Sequence, residues 1–156
     1  MPYNHVTAMH RLVLIALFAA LLAVGGWISL PIGPVPITLQ TMFLTLAGLV
    51  LGPRDGALAA LLFLAAGLLG LPVFSGGKGG LAVFLGPTGG FLLAFPLAAW
   101  IFGFAGGGRP VPLLKAVLLC LAGSALVFAI GALRLMWLMD LSLNKALWAA
   151  VIPFLP

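Results

Sequence analysis

The chain has no glutamate, and its only acidic residues are Asp55 and Asp140, against seven Lys or Arg. Charged residues of all kinds make up 6% of the 156 positions. A soluble domain carries roughly a quarter, so this protein cannot cover itself with polar surface and its solvent is lipid. The scarcity of carboxylates also argues against acid–base catalysis. Asp55 lies in a turn and Asp140 near the far end of a later span, which places them on opposite sides of a membrane. Cys120 is the single cysteine. It excludes an internal disulfide and a thiolate cluster, and reads as a small inert apolar side chain. His5 and His10 precede the first span with no third ligand in view, so neither a metal nor a cofactor is expected. No ATP-binding motif is present, so any transport must draw on energy from elsewhere. The seven cations are scattered singly at the ends of apolar runs, the distribution of topology signals and not of a nucleic-acid surface.

What is abundant is apolar sequence: 64% hydrophobic residues and a mean hydropathy of +1.33. The pattern predicts an all-α membrane protein forming one integral domain over 1–156. Helices are expected near 12–30, 37–52, 57–71, 91–105 and 113–138, with a partial sixth at 146–156 that reads as cut short, since a span needs about 20 residues. The breaks are "PIGPVP" (31–36), "GPRDG" (52–56), "GGGRPVP" (106–112) and "MDLSLNK" (139–145), where Pro and Gly stop helices. The N-terminal segment does not resemble a cleaved signal peptide. An N-terminus inside the cell places Arg11, Arg54, Arg109 and Lys115 on the cytoplasmic side, with Lys78, Arg134 and Lys145 outside or near the outer rim.

Between the third and fourth spans stands "LPVFSGGKGGLAVFLGPTGGFLL" (71–93). "GKGGLA" (77–82) formally fits a dinucleotide fingerprint, but no βαβ unit surrounds it. "GGKGG" is not a phosphate loop either, because Gly79 follows the lysine. The spacings Gly76–Gly80 and Gly86–Gly90 suit helix packing, yet the glycine pairs and Pro87 argue against one continuous helix. Two readings stay open: a plain extramembrane loop, or a loop that dips inward and closes over a ligand. Thr38, Gln40, Thr41 and Thr45 gather at the start of the second span. Threonines there commonly back-bond to helix carbonyls, whereas the Gln40 amide is too costly to face lipid and should turn to a partner or a ligand. Arg134 reads as a snorkelling rim cation.

"GPVPITLQT" (33–41), "LAGLVLGPRDGALA" (46–59), "GLPVFSGGKGGLAVFLGPTGGFLLAFPLAAW" (70–100) and "PFLP" (153–156) together strongly resemble the BioY family, the biotin-binding S components of energy-coupling factor (ECF) vitamin transporters. The resemblance covers about residues 12–156 and is densest at 31–100. It implies a six-transmembrane-helix S-component fold with a Gly-rich loop between helices 3 and 4, and biotin bound near the outer face. It further implies an ECF partner module, made of a transmembrane T component and two ATPase subunits, that powers release inside. Small residues on helix 1 form the contact with the T component in that family. Here Ala16-x-x-x-Ala20 and Ala19-x-x-x-Ala23 supply such spacings.

The ligand-binding residues expected from the pattern and the resemblance are Gln40, Thr41, Phe74, Ser75, Gly76, Gly77, Lys78, Gly79, Gly80, Thr88, Gly89 and Phe91. Phe74 and Phe91 are expected as walls, Gln40, Thr41 and Thr88 as hydrogen-bonding groups, and Lys78 as the partner of a carboxylate. Family members usually continue past "PFLP" with Gly-Asp and a lysine one turn later, which this sequence does not reach. The alternatives are an S component for another small vitamin, or a truncated membrane protein that does not transport.

Overall fold

The computed structural model describes residues 3–31, 35–107, 111–142 and 144–145, with side chains from residue 8 onward. Five helices are formed among the described residues: α1 (Tyr3–Trp27), α2 (Gln40–Leu68), α3 (Leu81–Leu85), α4 (Gly89–Gly103) and α5 (Leu113–Met139). The expected segment at 146–156 lies outside the described residues. Three of the helices are long and apolar enough to cross a membrane: Ala8–Trp27 within α1, α2, and α5. α4 is apolar but has 15 residues.

The two spans expected at 37–52 and 57–71 fall within one assigned element, α2. Its interior holds a reversal, because Gly52 adopts φ +83° and ψ 178°. Only glycine takes up such a conformation readily, and Pro53 follows at the first position of the new segment, where a missing N–H costs nothing. A Cβ on Gly56 would stand 2.9 Å from the Cα of Gly48. In an unbroken helix eight residues climb about 12 Å, so the arms 40–51 and 53–68 fold back on one another. The turn expected at "GPRDG" is thus the reversal that separates the two arms of one assigned element.

Other boundaries move for local reasons. α1 stops at Trp27, and Ser29–Leu30 (β1) pairs antiparallel with Ile37–Thr38 (β2), in register Ser29↔Thr38 and Leu30↔Ile37. This small hairpin takes the residues that hydropathy alone assigned to helix ends. No continuous helix runs through 72–90, in keeping with its glycine pairs and Pro87, and the stretch holds a 3-10 turn at Ser75–Gly77 and the short α3. "LAVFL" is the one glycine-free run between Gly80 and Gly86, and it buries Phe84. α4 begins at Gly89, two residues before the expected start.

α4 sits at the centre, packed against both α2 and α5, while α1 covers α2. Phe63, Phe74, Phe95, Phe102, Leu44 and Leu135 are among the fully or nearly buried side chains of the main core. Contacts along the helices define two ends. At one, Arg11 of α1 makes a two-pronged ion pair with Asp55 just past the reversal, and Pro53 rests on Gly103 of α4. At the other, Gly25 of α1, the start of α2 and residues 67–80 converge. The exposed surface carries Leu14, Leu17, Leu61, Leu93, Leu118 and Leu121. That is the inverse of a soluble protein, and the chain is a multi-pass membrane protein.

Because the two arms of α2 touch through glycine, Gly56→Leu should overpack the contact with Gly48. The expected loss is about 1–3 kcal/mol, read as a lower midpoint of thermal unfolding in detergent. An unchanged midpoint would mean that the arms do not meet there.

Candidate ligand pocket

The end of the bundle opposite the Arg11–Asp55 pair is built by three hydrogen-bonded connections. The Leu39 N–H donates to the Gly25 carbonyl at 3.1 Å, which ties the start of α2 to the tail of α1. The Trp27 indole N–H donates to the Pro72 carbonyl at 2.7 Å, which ties the same tail to the loop after α2. The Gly80 N–H donates to the Gly67 carbonyl at 2.7 Å, which returns that loop to the second arm of α2.

Within the loop, residues 74–78 close on themselves. The Phe74 N–H donates to the Lys78 carbonyl at 2.9 Å, and the Gly77 N–H donates to the Phe74 carbonyl at 3.0 Å. Gly76 and Gly77 both have φ +71°, a left-handed pair that an ordinary residue enters only with strain. The tightness of this turn drives Phe74 inward. Its ring is 1% exposed and meets Phe63 and Phe84 edge-on at centroid distances of 5.4 and 5.3 Å. Gly67 lies beneath it, so close that any Cβ there would overlap the ring.

These elements enclose a cavity of about 680 Å³, inside the usual size range of small-molecule sites. Nine of the twelve expected ligand residues line it: Gln40, Thr41, Phe74, Ser75, Gly76, Lys78, Gly79, Thr88 and Phe91. Gly77, Gly80 and Gly89 do not border it. Gly77 sits in the left-handed turn with its N–H on the Phe74 carbonyl, Gly80 precedes α3 as its cap, and Gly89 lies under the Phe84 carbonyl. The deep wall is apolar, made by Phe91, Leu92 and Phe95 of α4 with Val127 of α5, all nearly inaccessible. Lys78 is exposed at the rim.

Gln40 is the one buried polar residue of the described core, 4% exposed. Its Oε1 accepts from the Thr38 hydroxyl at 3.4 Å, while its Nε2 has no partner among the described residues. It is held against α1, where a Cβ on Gly26 would stand 2.6 Å from Nε2. A buried donor without an acceptor costs about 1–3 kcal/mol, and here it belongs to a residue on the cavity wall. Thr45 back-bonds to its helix, donating to the Thr41 carbonyl at 2.8 Å.

Sequence reasoning did not place Ser29, Val35, Ala82 or Val127 at the cavity, and all line it. The alternation of apolar residues around "PIGPVP" carried a signal for the β1–β2 hairpin. Val127 sits in a uniformly apolar helix and carries none. Of the four alanines of α1 expected to face a partner, Ala16 and Ala20 are exposed, whereas Ala19 and Ala23 are buried in the core. Only the first pair is open to a partner helix.

The chain matches the BioY family over residues 2–156. It belongs to that family. A BioY relative from Pyrococcus horikoshii, described as a probable biotin transporter, is 47% identical over 143 residues, covering 91% of this chain and 83% of the relative. The biotin transporter BioY of Thermotoga maritima is 37% identical over 146 residues, covering 94% and 85%. The fold is similar to the crystal structure of an S-component for biotin from an ECF-type ABC transporter. The TM-score is 0.85 at 32% identity, over 99% of this chain and 86% of the other.

Two glycine substitutions separate the causes of the loop's shape. Gly76→Ala meets open space and should cost only the left-handed backbone, about 1–2 kcal/mol. Gly79→Ala drives a methyl to 2.2 Å from the Leu71 carbonyl, so the turn must open. Hydrogen exchange at the Phe74 amide should accelerate more for Gly79→Ala. Equal effects would show that the loop does not pack against Leu71.

Proposed function

We propose that this protein takes up biotin as the substrate-specific binding subunit of an ECF-type transporter. The observation that carries the reading is a largely apolar 680 Å³ cavity whose wall holds the buried Gln40, its amide nitrogen without a partner among the described residues. Biotin has an apolar bicyclic ring system and tail, a ureido group with two donors and one acceptor, and a carboxylate. Apolar walls with a few placed polar groups suit such a molecule. Phe74 and Phe91 serve as walls. Gln40, Thr41 and Thr88 supply hydrogen bonds. Ser75 and the backbone of Gly76, Gly77, Gly79 and Gly80 form the flexible side of the site, and Gly89 sets the start of α4 beneath it. Lys78 at the rim meets the carboxylate.

No reaction is catalysed in this reading and no cofactor is required. The chain acts as one integral membrane domain in the plasma membrane, with the six-helix architecture of S components, the two arms of α2 counting as two spans. Its N-terminus lies in the cytoplasm, which puts the Arg11–Asp55 end inside and the cavity near the outer face. Ala16 and Ala20 form the face toward the ECF transmembrane T component, and the ATPase subunits act through that component. Ala19 and Ala23 support the face from within.

Detergent-purified protein should bind biotin, and failure to bind it would sink the proposal. In a charged hydrogen bond, Lys78→Ala should weaken biotin by roughly 1.5–3 kcal/mol. Biotin methyl ester should then lose little further affinity on the variant. Additive losses would remove Lys78 from the site.

The partner face has its own test. Ala20→Leu should abolish ECF-dependent uptake while biotin binding persists, because the added bulk lies on the exposed side of α1. Ala23→Leu should instead lower the unfolding midpoint, because that position is buried. Equal loss of binding and uptake in Ala20→Leu would show that this face packs within the protein.

A further inference from the structure

We propose that Arg134 of α5 is the positioning residue that latches α3 against the cavity, and so governs how long a bound ligand stays. The ligand part rests on the biotin reading above; the latch itself does not. α3 is lightly held. Ala82 and Val83 face the cavity, while Leu81 and Leu85 are each 60% exposed and only Phe84 is buried. Glycines stand at both ends, Gly80 with φ +89° before it and Gly86 after it. Phe84 is its anchor in the core, against Phe74, and fixing the rest of the segment takes a further contact.

Arg134 is the fastening. Its guanidinium donates from Nη2 to the Leu85 carbonyl at 3.0 Å, at the last residue of α3. The base of the side chain lies against the first turn of α4, where a Cβ on Gly90 would stand 2.5 Å from the Arg134 Cβ. The guanidinium also covers the Trp137 ring at 4.9 Å. One side chain therefore joins α5, α4 and α3. The expectation from sequence was a cation snorkelling at the rim; the structure adds a contact with the protein's own backbone.

The tie is strong in kind but incomplete. A charged donor on a carbonyl is stronger than a neutral pair. Among the described residues the only ion pair is Arg11–Asp55, far from Arg134, and the buried Arg134 Nε has no partner. An arginine satisfied at every nitrogen would hold α3 permanently. This one holds it by a single hydrogen bond, which can break and re-form as a ligand passes.

The test uses full-chain protein in detergent, with biotin as the probe. Arg134→Met keeps an unbranched stem on Gly90 and removes the donors. Biotin should dissociate about tenfold faster, with association little changed, and Arg134→Lys should fall between the two. A second measurement needs no ligand. In a Cys120→Ala background, Val83→Cys should react several-fold faster with a small aqueous thiol reagent once Arg134 is Met, at an unchanged unfolding midpoint. An unaltered labelling rate would overturn the latch, and Arg134→Lys serves the same comparison if the Met variant folds poorly. Faster labelling with unchanged biotin dissociation would overturn the control of residence time. Faster labelling in a protein that never binds biotin would support the latch and refute the proposed ligand.

Discussion

In lipid, an apolar side chain gains nothing by leaving its solvent, so helices must be held by close van der Waals contact and by hydrogen bonds. The glycine contacts of this protein supply the first. Gly48 against Gly56, Gly103 against Pro53, Gly123 against Phe102 and Gly131 against Phe91 all bring atoms to within the space a single methyl would need. α4 takes part in three of these four contacts, and each of its neighbours is located by at least one. The cavity depends on this frame, since Phe91, Leu92 and Phe95 can form a fixed wall only while α4 stays seated between α2 and α5.

The second constraint concerns the backbone. Non-helical chain near a membrane must find partners within the protein. The loop after α2 does so through Gly67, Leu71, Phe74 and Lys78 and through the indole of Trp27. Its shape is therefore imposed by satisfied hydrogen bonds and not merely permitted by glycine. Phe74 shows how this becomes a site, because the turn that pairs its N–H with Lys78 also drives its ring into the core.

Much of this was legible in the sequence, for physical reasons that differ by element. Hydropathy located α1, α4 and α5, since length and composition decide a span. The turn residues of "GPRDG" marked the reversal, but not that the arms on either side would touch at Gly48 and Gly56. Gln40 stood out because an amide among apolar residues is costly. α3 was missed because five apolar residues between glycines carry no period. Ala16 and Ala19 are equally small, and only the rotation of α1 against α2 decides which is covered. The partner of Arg134 lies 49 residues earlier in the chain, and no local pattern could announce it.

The reversal at Gly52 also sets a depth. The arm 40–51 begins beside the cavity wall at Gln40 and ends at the turn, a rise of roughly 18 Å along its axis. The hydrocarbon core of a bilayer is about 30 Å thick. The arm is therefore shorter than that layer, so Gln40 and the Gly52 reversal cannot stand at its two surfaces at once, and at least one of them lies within it.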